Sequence, residues 1–88
     1  MLVDELKERV PEQLQFTPEF NTMLQLIKDK GFRQKAAFQM FLDTEMKESR
    51  DWLEKSKSQP ATLSRERRMR TRKLKFFSLI KQKFLTYL

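Results

Sequence analysis

Arg65, Arg67, Arg68, Arg70, Arg72, Lys73 and Lys75 place seven cations within eleven residues, and the chemistry open to such a run is the recognition of anions. Arginine suits this because its planar fork meets two phosphate oxygens at once. On a helix, Arg65, Arg68, Arg72 and Lys75 fall at i, i+3, i+7 and i+10, a single stripe able to follow a phosphate backbone. Each phosphate neutralised releases condensed counterions, so affinity arises without reading a sequence. The wider charge pattern points the same way. Gln59 to Leu88 carries nine Lys/Arg and one acid, Glu66, whereas Met1 to Ser58 carries ten basic and eleven acidic residues. The competing account is a solvated helix start that aids solubility. Cations in a first turn oppose the helix dipole, which favours the presence of a compensating anion.

Other chemistry has little material. The chain has no histidine and no cysteine, so Ser–His–Asp and Cys–His arrangements, thiolate zinc sites and disulfides are excluded. Its one glycine, Gly31, excludes Walker and GxGxxG phosphate loops. Asp43, Glu45, Glu48 and Asp51 are the densest acidic group, but Lys47 and Arg50 interleave with them, as on a solvated helix face. We therefore expect no catalytic residues, no metal and no cofactor.

The elements that position these residues read as helices. Leu, Lys, Glu, Gln, Arg and Met abound and β-branched residues are scarce. Leu6, Val10 and Leu14 predict a short helix over about 4–10, with Asp4 as N-cap and a break at Pro11. Thr17 as N-cap, Pro18 at the first position, the stripe Phe20, Met23, Leu24 and Ile27, and Gly31 as a left-handed stop define the next helix. A third runs from about Arg33 to Lys55, with Phe38, Leu42, Met46 and Leu53 on one face, flanked by Ala37, Phe41 and Trp52. Ser56 to Thr62 reads as a linker broken by Pro60, and Ser64 as the N-cap of a last helix reaching about Tyr87.

That last helix begins as RERRMRTRK and ends as LKFFSLIKQKFLTYL, basic first and amphipathic after. Three readings stand for Phe76, Phe77, Ile80 and Phe84: core packing, an oligomer seam, or a membrane-surface or partner-groove helix. Large aromatics in so small a domain are usually needed for burial, so core or oligomer packing leads. Phe76, Leu79 and Leu85 lie off the main stripe, and that breadth suggests a homodimer. A membrane surface ranks last.

Two resemblances bear on the partner. RERRMRTRK resembles the arginine-rich motifs of short RNA-binding helices, which enter a groove whole. LIKDKGFRQKAAFQM, Leu26 to Met40, resembles the helix-turn-helix of phage repressors and Cro-like regulators. There Gly31 would be the turn glycine, Ala37 and Met40 inward positions, and Arg33, Gln34, Lys35 and Gln39 the groove-facing residues. Ile27 stands where that family has a small residue, and Lys30 where it has an apolar one. Those departures favour an ordinary αα-hairpin whose glycine is a C-cap.

The expected fold is all-α, a small bundle of three main helices plus a short N-terminal one. Residues 1–88 form a single domain: a near-neutral platform (1–58), a linker (59–63) and the basic then amphipathic helix (64–88). The expected function is that of a small non-enzymatic, nucleic-acid-binding regulatory protein, with DNA and RNA left open. The alternative is a helical adaptor or inhibitor docking the same helix on an acidic protein surface. No secretion signal or membrane span is read from the chain, so an intracellular place, cytoplasmic, nucleoid or nuclear, is expected.

Overall fold

A computed structural model describes residues 1–58 and 61–88. Five α-helices follow one another: α1 (Leu2–Arg9), α2 (Glu12–Gln15), α3 (Pro18–Lys30), α4 (Lys35–Lys55) and α5 (Ser64–Lys83), closed by a 3₁₀ turn at Leu85–Tyr87. No strand occurs among the described residues, so the fold is all-α. The linker reading at Gln59 and Pro60 lies outside the described residues.

Local chemistry accounts for the helix ends. α1 stops at Arg9 because Pro11 disfavours helical backbone in the residue before it, and Val10 is extended (φ −75°, ψ 132°). The helix begins at Leu2, earlier than the expected Asp4 cap, and Asp4 and Glu5 instead supply negative charge to its first turn. The single turn α2 has no sequence signature of its own. Gln15 holds it by donating from Nε2 to the carbonyls of Lys7 (2.9 Å) and Val10 (2.7 Å). α3 begins at Pro18 after an extended Thr17, although the Thr17 hydroxyl donates back to the Leu14 carbonyl and caps nothing. Its end is a Schellman motif. Gly31 is left-handed (φ 73°), its N–H meets Lys28 O at 3.2 Å, and the Phe32 N–H meets Ile27 O at 3.1 Å.

Phe32 then turns inward against Phe38 and Phe41, with ring centroids 5.4 and 5.2 Å away. That packing keeps the chain extended through Gln34 and delays α4 to Lys35, two residues after the expected start. Ser64 is the first helical residue of α5 and not its cap; Leu63 stands at the cap position and offers no side-chain acceptor. The helix ends at Lys83, and Leu85, expected off the apolar stripe, folds under as a buried residue of the terminal turn.

One core joins the parts. Leu2 and Leu6 from α1, Phe20, Met23 and Ile27 from α3, Phe38 and Leu42 from α4, and Phe77, Ile80 and Phe84 from the C-terminal segment are buried together. Phe20 and Phe84 meet edge to face with centroids 5.3 Å apart. Phe76 is half-buried against the same cluster. The C-terminal segment is thus an integral wall of the bundle. α4 and α5 run antiparallel along their length: Lys81 bonds to Asp43, Lys73 to Glu45 and Arg67 to the Leu53 carbonyl. The molecule is elongated, 46 × 24 × 21 Å, as these two long helices require. Among the described residues, no helix is long and apolar enough to cross a membrane.

Ser49 continues the buried face of α4 set by Phe38 and Leu42, and its buried Oγ has no hydrogen-bond partner among the described residues. An unpaired buried hydroxyl is a cost, and alanine is also the better helix former. Ser49→Ala is therefore expected to raise stability by about 1 kcal/mol, or roughly 4–8 °C in Tm for a domain of this size. Thermal unfolding followed by circular dichroism checks it; a lowered Tm would mean the hydroxyl is engaged.

Candidate nucleic-acid interface

Packing sorts the seven cations between Arg65 and Lys75 onto two faces of α5. Arg65, Arg68, Arg72 and Lys75 are exposed, and among the described residues none of them makes an ion pair or a side-chain hydrogen bond. Neighbours three and four residues apart on a helix stand about 5–6 Å apart at Cβ. The like charges therefore repel along the stripe, and an anion laid across them reverses the sign of that energy. Arg65, Arg68 and Arg72 together line a shallow depression of about 310 Å³ beside the exposed Met69. An oxyanion seated there would meet three guanidinium forks, each able to donate two parallel bonds.

The other three cations are spent on the fold. Arg67 donates from Nη1 to the Leu53 carbonyl at 2.9 Å and to Ser56 Oγ, satisfying the C-terminal end of α4 from across the helix pair. Arg70 bonds through Nε to Glu66 at 3.0 Å and lies over the Trp52 ring, 5.3 Å from its centroid. Lys73 pairs with Glu45 at 2.8 Å and sits 5.8 Å from the Phe77 centroid. Of the seven expected contact residues, four are thus exposed without protein partners among the described residues, and three have partners on the protein. α4 reaches across with a carbonyl, an indole and a carboxylate, and these claim the residues at the remaining angular positions.

Arg67 and Arg68, adjacent in sequence, should then respond oppositely to the same substitution. Arg67→Gln is expected to cost about 1–3 kcal/mol by removing a charged donor from the Leu53 carbonyl and the Ser56 hydroxyl, which then keep only their bond to each other (3.2 Å). Arg68→Gln should stay within about 0.5 kcal/mol of the parent, as exposed substitutions do. Urea unfolding of both variants checks this, and equal costs would refute the division into faces.

The positive surface extends past the run recognised from the sequence. Lys83 is exposed at the far end of α5 and Arg50 on α4, and both border a groove that Lys75 also borders. From Arg65 to Lys83 the helix rises about 27 Å. Lys83 was available from the sequence, two turns beyond Lys75 on the same side of the helix; Arg50, from another helix, had no sequence signal linking it to α5.

Arg33 and Gln34 are exposed in the link between α3 and α4, whereas Lys35 and Gln39 are partly covered and line a depression with Lys81, Leu85 and Thr86. They sit at the end of the α4–α5 pair opposite Arg65, and the fold does not bring them to the arginine stripe. Ala37 and Met40, inward in the helix-turn-helix resemblance, are exposed, Met40 by 72%. The reason is rotational: Phe38 and Leu42 own the inner face of α4, and Gly31 serves as a helix stop.

Asp43, Glu45, Glu48 and Asp51 do not converge. Asp43 faces Lys81 and Glu45 faces Lys73, and among the described residues no three His, Cys, Asp or Glu side chains form a metal-holding group. No protein-family model, curated protein or solved structure matches this chain, so its functional reading rests on the arrangement above.

Proposed function

We propose that the protein is a small non-enzymatic nucleic-acid-binding regulator that lays the outer face of α5 along a phosphate backbone. The observation that carries this is the sorting of cations. Arg65, Arg68, Arg72 and Lys75 are exposed on one face without anionic partners among the described residues, while Arg67, Arg70 and Lys73 have protein partners. If cations served only solubility or folding, nothing would require that one face of one helix hold four without a single acid among them. The anchoring of α5 through Phe77, Ile80 and Phe84 presents the stripe on a rigid element, which lowers the entropy lost on binding. A row of phosphate contacts positions the nucleic acid and carries no sequence code.

The test uses labelled duplex DNA, single-stranded DNA and hairpin RNA, each titrated at near-physiological salt. Micromolar or tighter binding to at least one of them is expected, and their ranking assigns the nucleic acid. Absence of binding to all three would overturn the reading and make the stripe a docking surface for an acidic protein.

A further inference from the structure

Beside the arginine stripe, on the flank where α4 and α5 meet, runs an open groove of about 460 Å³. Its floor is Met46 from α4 and Leu74, Ser78 and Leu79 from α5, all half-buried, so apolar surface remains uncovered there. Its rim is Arg50, Lys75 and Lys83, all exposed, and no acid lines it. Along α5 the groove extends from Leu74 to Lys83, about 13 Å of helix rise. An amphipathic helix anchored at i, i+3 or i+4, and i+7 spans roughly 10 Å between its first and last anchor, which fits that length.

We infer that this groove is a second binding surface, and that its occupant is an acidic amphipathic helix of a partner protein. Two antiparallel helices with an apolar seam between them offer the seat on which a third helix completes a three-helix packing. Charge selects the occupant. Glutamates or aspartates flanking the apolar anchors meet Arg50, Lys75 and Lys83 around the rim. A second copy of this chain is disfavoured, because a two-fold pairing of the groove with itself sets the same three cations against each other. A phosphate backbone has no apolar side chains to cover Leu74 and Leu79. The inference stands apart from the phosphate-binding proposal: of the four stripe residues, Lys75 alone borders the groove.

The test uses the full chain and a synthetic helical peptide with leucines at the anchor positions and glutamates beside them. Binding tighter than about 100 μM is expected, with methyl NMR shifts centred on Met46, Leu74 and Leu79. Arg50→Glu with Lys83→Glu, both exposed and remote from the core, should weaken it about tenfold or more. Arg65→Gln with Arg68→Gln should leave it unchanged, which separates failure here from failure of the phosphate-binding reading. The inference is overturned by unshifted methyls at millimolar peptide, or by equal binding of a peptide whose leucines are alanine. Concentration-dependent shifts of those methyls without peptide would also overturn it, by assigning the groove to a second copy.

Discussion

Replacing Arg65, Arg68, Arg72 and Lys75 together with glutamine is expected to lower the salt slope of duplex binding by about 3.6, at about 0.9 for each phosphate contact removed. The fourfold step from 50 to 200 mM salt costs four such contacts about a hundredfold in affinity, so the loss is largest at low salt and narrows as salt rises. The effect should be nearly equal across sequences, because phosphate contacts carry no base information. All four residues are exposed and, among the described residues, unpaired, so unfolding should not accompany the loss. Salt titrations of parent and variant, with melting curves for both, check the prediction. A loss confined to one sequence would show that these side chains read base edges.

The second large effect falls on stability. Phe84 is 1% exposed and packs edge to face on Phe20, tying the end of α5 to α3. Phe84→Ala is expected to cost about 3–5 kcal/mol, combining lost transfer energy with the cavity left behind. A domain of this size has only about 4–13 kcal/mol in total, so the variant should be poorly folded and lose both proposed binding surfaces together. Phe84→Leu keeps most of the volume and loses chiefly the aromatic pair, about 0.5–1.5 kcal/mol. Phe76→Ala, at a half-buried site, should cost roughly half as much as Phe84→Ala. Chemical unfolding of the three variants checks the order. If Phe84→Ala instead left the fold intact and abolished partner binding, the C-terminal aromatics would be contact residues and not core.

Much of this architecture was legible because its signals are local. Thr17-Pro18 and Gly31 bracket α3 through constraints on one or two residues, and the stripe between them, Phe20, Met23, Leu24 and Ile27, is buried throughout. The helical character of α4 and α5 followed from period and composition. What escaped depends on contacts distant in sequence. α2 exists because Gln15 reaches back to Lys7 and Val10. The start of α4 is set by where Phe32 packs, and Leu85, one of the residues that broaden the apolar face of the last helix, is buried because it turns under the bundle. The site behaves likewise. Arg67 and Arg68 are equivalent in composition, and what distinguishes them is the Leu53 carbonyl and the Ser56 hydroxyl, fourteen and eleven residues from Arg67. Lys73 is taken by a carboxylate twenty-eight residues away. The Leu26–Met40 segment shows the converse: its spacing matched a known turn, but the register of Phe38 and Leu42 against the core turned Ala37 and Met40 outward.

The most direct test of the central claim compares two double variants that remove the same charge from the same stretch of helix. One is Arg68→Gln with Arg72→Gln on the outer face, and the other is Arg67→Gln with Arg70→Gln on the inner face. Each is measured in salt titrations of nucleic-acid binding, at a temperature where circular dichroism shows it folded. The outer pair should lower the salt slope by about 1.8, and the inner pair should leave it at the parent value. Equal slopes in the two variants would show that net charge, and not the outer face of α5, governs binding.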